Sequence, residues 1–163
     1  MAIVILYLSA KQLCRILSMS EMPFWKHKSL HAMSPSEWES LCDGCGKCCL
    51  NKLEDEDSGE VLYTNAACYL LNLVSCRCNR YSERAQLVSD CVRLSPKLVE
   101  DSAWLPTTCA YRLVAEGKDL PDWHPLISGD PLSVHLAGVS ARGWTVSELD
   151  VDDLEDQVIH WQL

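Results

Sequence analysis

Four cysteines fall within eight residues in the stretch Cys42-Asp43-Gly44-Cys45-Gly46-Lys47-Cys48-Cys49. Thiolates at C-x-x-C spacing reach one metal centre from a tight turn, and Gly44 and Gly46 let the backbone bend between them at little steric cost. Disulfides fit poorly here, because each bridge needs its own Cβ–Cβ separation and dihedral, and four thiols this close would strain both. The chemistry to expect is thiolate ligation, with the bound metal keeping the sulfur deprotonated at neutral pH.

The local run points to metal more strongly than to any one metal. Zinc sites usually combine two C-x-x-C knuckles across a spacer. Here the two knuckles overlap at Cys45, and Cys76 and Cys78 have only one residue between them. A C-x-x-C-x-x-C run with a distant fourth cysteine is the pattern of iron–sulfur ligation, although Cys49 stands directly after Cys48. Adjacent cysteines seldom both point into one small site, so Cys48 and Cys49 either serve different centres or one is only buried. Cys42, Cys45 and Cys48 are the primary ligands expected. Cys68, Cys78, Cys91 and Cys109 are the candidates to complete the set, and Cys76 is a further possibility. Each of these, taken singly, could equally be a small buried hydrophobe. Cys14 stands apart from the group. Four thiolates on Zn²⁺ carry a net charge of −2, which Lys47, Arg77, Arg80 and Arg84 could offset.

The elements that must hold these residues can be read in outline. Ser34-Pro35-Ser36-Glu37 is a helix start with a capping box and a proline at the first helical position, and Trp38 and Leu41 share its inward face. This helix delivers Cys42 into the glycine-bearing loop. Glu54–Asp57 reads as a solvated acidic loop, since it lacks the alternation of a calcium loop. Val61–Tyr63 reads as a short strand, and Thr64 as the cap of a helix over Asn65–Leu73. Ser95-Pro96 opens another helix, with Leu98–Trp104 fitting one or two turns before Pro106. Thr107 or Thr108 would cap a helix from Cys109 to Glu116, ended by Gly117. A proline-rich loop spans Leu120–Pro131, and Val134–Val139 reads as a strand. Ser147 would cap a last helix with Val151, Leu154, Val158 and Trp161 on one face and acidic residues on the other. The fold class expected is mainly α with short β pieces, an irregular α+β domain stapled by a cysteine-ligated metal centre.

The totals narrow the partners. The 163 residues suit one domain with a modest core, and the net charge of −9 argues against nucleic acid or anionic membrane as a partner. Met1–Leu8 is apolar but has no basic residues before it and is too short to span a bilayer. Residues 1–22 are therefore expected to be an N-terminal extension, with Met19 and Met22 as alternative starts, and 23–163 the metal-binding domain. With no export signal recognised, ten cysteines point to reduced thiols in the cytoplasm.

Cys42-Asp-Gly-Cys45-Gly-Lys-Cys48-Cys49, followed by Cys68, Cys78-Asn-Arg-Tyr81-Ser-Glu-Arg84 and Cys91, resembles the YkgJ-type cysteine-cluster family of bacteria. Pro23-Phe-Trp, Glu37-Trp-Glu-Ser-Leu-Cys42, Trp104-Leu-Pro-Thr-Thr-Cys109-Ala-Tyr-Arg and Glu116–Pro125 resemble its YcgN-like branch, so that the likeness runs from about Pro23 to Trp161. Ala85 follows Arg84 where many members have proline, and the first 18 or so residues have no counterpart. The resemblance implies a small cytoplasmic protein that chelates zinc or iron. It implies no reaction.

Two other functions compete. One is a thiol-redox or iron–sulfur-dependent enzyme acting on a protein partner, though no βαβ setting, phosphate loop, nucleophile elbow or paired carboxylate motif accompanies the cysteines. The other is a zinc-stabilised interaction module presenting Trp123, His124 and the acidic last helix to a protein partner, against which core packing of the aromatics is the plainer reading. His27 and His31 are four apart but read as a surface pair, and no histidine is expected to bind metal.

Overall fold

The computed structural model describes residues 22–102 and 104–159. Its elements are short, and among the described residues no helix exceeds six residues. Phe24–His27 forms α1, and a 3₁₀ turn at Leu30–Ala32 precedes α2, Pro35–Ser40. The expected capping box starts α2. Ser34 Oγ accepts from the Glu37 amide (3.3 Å), and the Glu37 carboxylate accepts from the Ser34 amide (2.8 Å). After the cysteine stretch come strands β1, Leu50–Glu54, and β2, Val61–Ala67, then a small hairpin of β3, Leu71–Asn72, with β4, Arg77–Cys78. Helices α3, Arg84–Leu87, α4, Pro96–Asp101, α5, Ala110–Ala115, α6, Pro125–Ser128, and α7, Ser133–Leu136, lead to β5, Val146–Ser147, and two terminal 3₁₀ turns.

Strands β1 and β2 pair antiparallel with a register shift between Leu50 and Lys52, and β5 adds parallel to β2, giving the order β1-β2-β5. The acidic run makes the β1–β2 turn, where Asp55 Oδ1 accepts from the amides of Asp57 and Ser58. It is a solvated loop, as expected.

Apolar burial falls into two clusters. The first joins Leu30, Leu41, Val99, Leu105, Ala110, Tyr111 and Leu120, with Trp38 and Trp104 packed against it. The second joins Leu50, Ala67, Leu71, Cys76 and Ala141, with Tyr63 and Trp144 packed against it. Leu41 immediately precedes Cys42 and Leu50 immediately follows Cys49. The cysteine stretch is thus the link between the two cores.

The architecture is a small single domain of mixed helix and strand rather than mainly α, and four local expectations are corrected. The helix over Asn65–Leu73 does not form, because β2 continues to Ala67. Thr64 is wholly buried in that strand, its hydroxyl donating to the Asn51 carbonyl (2.8 Å). Val134–Val139 is not a strand. Asp130 Oδ1 accepts from the Leu132 amide (2.8 Å) and turns the chain into α7. Helix α5 starts one residue later than placed, at Ala110, because Cys109 rather than a threonine is its N-cap, without a side-chain capping bond. Ser147 caps only a 3₁₀ turn, Glu148–Asp150. Cross-chain bonds hold the rest of that segment open, including Ile159 amide to Tyr63 carbonyl (2.9 Å) and a bridge between Thr64 and Val158. Met1–Leu8, Cys14 and Trp161 lie outside the described residues.

Candidate metal centre

Local chemistry shapes the loop. Helix α2 ends with the Cys42 amide donating to the Glu39 carbonyl (3.3 Å). Asp43 Oδ1 then accepts from the Cys45 amide (2.9 Å), closing a side-chain turn around Gly44. Gly44 and Gly46 have φ of +79° and +77°. Their bareness is used on both sides. A Cβ on Gly44 would sit 2.6 Å from the Arg77 guanidinium, and one on Gly46 would meet Cys76 Cβ at 3.0 Å. A 3₁₀ turn over Lys47–Cys49 follows and runs into β1.

Backbone pairing brings the downstream thiols to this loop. The Cys68 amide donates to the Cys49 carbonyl (2.9 Å), so the end of β2 lies against the second half of the motif. Cys78 pairs with Leu71 in the β3–β4 hairpin, and the Asn79 amide returns to the Leu70 carbonyl (2.8 Å). The Cys91 amide closes a turn onto Val88 after α3 (3.2 Å). Cys48, Cys49, Cys68, Cys78 and Cys91 all line one cavity of about 410 Å³, together with Lys52, Arg84 and Glu148. Cys109 caps α5, and Tyr111 in that helix donates its hydroxyl to the Trp38 carbonyl in α2 (2.9 Å).

Among the described residues all nine cysteines are free thiols. No three His, Cys, Asp or Glu side chains among those residues already stand in coordinating positions around one point. They lie one step looser, within electrostatic range. Cys42, Cys45 and Cys109 each feel Cys48, while Cys49 feels Cys68 and Cys78. The dense protein surround pushes the Cys42 thiol up to about 12 and Cys109 to about 11, and raises Cys45, Cys68 and Cys91. Cys48 goes the other way, to about 7. Its sulfur accepts from the Cys49 thiol at 4.0 Å, and the Lys52 charge adds to the effect. Donating that proton raises Cys49.

The donor set fits a thiophilic metal. Its atoms are soft sulfurs, delivered from separate chain segments to one neighbourhood, and cations face them. Arg77 lies beside Cys42, the buried Lys47 beside Cys45, and Arg84 beside Cys91. Arg80 does not share this role, since it pairs with Glu83 (2.5 Å) at the surface.

Several other residues are also placed. Cys76 is buried against Gly46 in the second core, with φ of 52°, and is absent from the cavity lining. His124 is wholly buried. Its Nδ1 accepts from the Leu126 amide (3.1 Å), which leaves Nε2–H to donate to the Leu41 carbonyl (3.1 Å). It serves the core rather than a partner surface. His31 stands exposed beside Glu100.

Sequence reasoning missed Asp43, Lys52 and Glu148. Asp43 is 4% exposed, and its Oδ2 is buried with no hydrogen-bond partner. Lys52 Nζ lies over the rings of Tyr63 and Trp104 (5.3 and 5.1 Å). Glu148 accepts from the Tyr69 amide (2.8 Å) and from Asn51 Nδ2 (2.7 Å), fixing the backbone beside Cys68. Only Asp43 had a local signal, an Asp-Gly pair inside the motif.

A family described as "CxxCxxCC: Putative zinc- or iron-chelating domain" matches residues 41–110, a span that contains every candidate ligand. The chain is 58% identical over 147 residues to a UPF0260 protein of Rhizobium leguminosarum bv. trifolii, covering 89% of this chain and 92% of the relative. A UPF0260 protein of Rhizorhabdus wittichii is 58% identical over 143 residues, 88% of this chain and 98% of the relative. This chain belongs to the UPF0260 family. No solved structure matches it. The family resemblance read from the cysteine spacing therefore holds, and the UPF0260 match extends well beyond the cysteine span. No helix among the described residues is long and apolar enough to cross a membrane.

Proposed function

We propose that this UPF0260 protein is a cytoplasmic metal-binding protein that holds zinc, or iron as an iron–sulfur cluster, through the thiolates of Cys42, Cys45, Cys48, Cys49, Cys68, Cys78, Cys91 and Cys109. The observation that carries this reading is the convergence of Cys48, Cys49, Cys68, Cys78 and Cys91 on one cavity from well-separated parts of the chain. Sulfur donors of this kind suit both zinc and iron–sulfur chemistry.

The bound group joins two half-sized cores. The motif lies between Leu41 in one cluster and Leu50 in the other, so metal ligation fixes how they meet. Binding free energy then becomes folding free energy. The test is anaerobic purification followed by zinc, iron and acid-labile sulfide analysis and a visible spectrum. Zinc in a colourless protein, or iron with sulfide and broad visible absorption, supports the reading and chooses between the metals. Metal-free protein with every thiol titratable and an unchanged thermal midpoint after zinc addition overturns it.

A further inference from the structure

We infer that the eight cysteines build two metal centres that meet at the Cys48–Cys49 peptide, with Cys42, Cys45, Cys48 and Cys109 holding one and Cys49, Cys68, Cys78 and Cys91 the other. This rests on the metal-binding reading above and adds the number of centres and the ownership of each thiol.

Distance alone does not separate the adjacent pair. Their sulfurs are 4.0 Å apart, close to the edge of a tetrahedral zinc–thiolate site, about 3.8 Å for Zn–S bonds of about 2.3 Å. Their neighbours separate them. Cys49 is tied by its carbonyl to the Cys68 amide, and beyond Cys48 its thiol is within electrostatic reach of Cys68 and Cys78. Cys68 in turn faces Cys78 and Cys91, and all four line the cavity. Cys42, Cys45 and Cys109 are absent from that lining and share Cys48 as their common thiol neighbour. The Tyr111–Trp38 contact is what brings the Cys109 end of α5 to the Cys42 end of α2. Cys48 also lines the cavity and reaches Cys91, which puts it on the boundary.

Donor number and charge divide the same way. Four thiolates complete a closed zinc site or hold one cluster, so eight supply two without remainder. Each tetrathiolate zinc would carry −2. The first set is faced by Lys47 and Arg77, and the second by Arg84 and Arg93, both beside Cys91. Lys52 stands at the seam, facing both Cys48 and Cys49.

The probe is Zn²⁺, titrated into reduced, metal-free full-length chain and counted by native mass spectrometry, with maleimide footprinting of each cysteine at every step. Two ions per chain are expected, with thiols becoming protected in the two groups of four named above. Cys42→Ser/Cys109→Ser and Cys68→Ser/Cys91→Ser should each retain one of two ions. The wild-type footprint decides the matter if either variant fails to fold. Saturation at one ion overturns the two-centre arrangement while leaving the metal-binding reading intact. Two ions with Cys49 protected alongside Cys42 overturns the assignment of thiols. An absence of bound Zn²⁺ overturns the two-centre arrangement, and the iron and sulfide analysis of the anaerobically purified protein then decides the metal-binding reading separately.

Discussion

Tyr111 and Trp38 are joined twice. Their ring centroids lie 4.6 Å apart, and the Tyr111 hydroxyl donates to the Trp38 carbonyl at 2.9 Å. That pair packs α5 on α2 and fixes the separation of Cys109 from Cys42. Tyr111→Phe keeps the ring contact and should cost about 1 kcal/mol, the usual net worth of one hydrogen bond. Tyr111→Ala should cost about 3–5 kcal/mol by emptying the first core. Urea unfolding of both variants measures the difference.

Acid should unfasten α2. The Lys28 ammonium (2.6 Å), and then the Ser34 amide, hold the Glu37 carboxyl down at about 2 from its ordinary 4.5. A carboxylate depressed by folding stabilises above its unfolded value, and the gain is lost as pH falls from about 4.5 towards 2. Glu37→Gln should flatten the stability profile across that window and leave it unchanged in slope above pH 5. A variant with the wild-type slope below pH 4.5 would show that the pairing is not felt.

His124 has the opposite charge and the same direction of loss. Burial, the largest influence, lowers its value from 6.5 and keeps the ring neutral. Its contribution is therefore complete above about pH 6.5 and falls away as the unfolded chain takes up protons below it. Nitrogen-15 NMR should find the Nε2–H tautomer in the neutral ring, which titrates below the ordinary 6.5. His124→Ala should cost about 2–4 kcal/mol, from lost packing and the unpaired Leu41 carbonyl.

The two loop glycines should fail for different reasons when replaced. Gly46→Ala puts a methyl 3.0 Å from Cys76 Cβ, a neighbour with little room to move, at a φ of +77°. Left-handed backbone alone costs an L-residue about 1–2 kcal/mol, so a larger loss is expected. Gly44→Ala instead strikes the end of the flexible Arg77 side chain. Arg77→Ala should recover the steric part of that loss and leave the backbone part. A double-mutant cycle that adds without coupling would count against the contact.

Cys76 offers a control within the same set of thiols. It packs in the second core and is 4% exposed, so Cys76→Ala should cost about 1 kcal/mol while leaving metal content at the wild-type level. Loss of a metal on this change would move Cys76 among the ligands.

What could be read from the sequence was local. The Ser34–Glu37 box and the Ser95-Pro96 start need only neighbours three residues away, and both stand as read. The cysteine spacing likewise fixed the loop and the family. The misreadings lie where distant partners decide. Ala66 and Ala67 suit a helix, yet pairing with Leu50 and with Val146–Ser147 makes them strand. Val151, Leu154 and Val158 recur at helical spacing, but Val158 bridges Thr64 and Ile159 bonds Tyr63, which keeps the segment from closing into one helix. The ligand neighbourhoods were illegible for the same reason, since the Cys49–Cys68 bond and the Tyr111–Trp38 contact are both long-range.

The spread of thiols along the chain gives assembly a schedule. During synthesis Cys42–Cys49 leave the ribosome first, and Cys109 follows roughly 60 residues later, about 3–12 s at ordinary elongation rates. Throughout that interval a growing chain displays a vicinal thiol pair and an unfinished donor set. The Cys68 amide to Cys49 carbonyl hydrogen bond can form early, whereas Cys109 arrives only with α5.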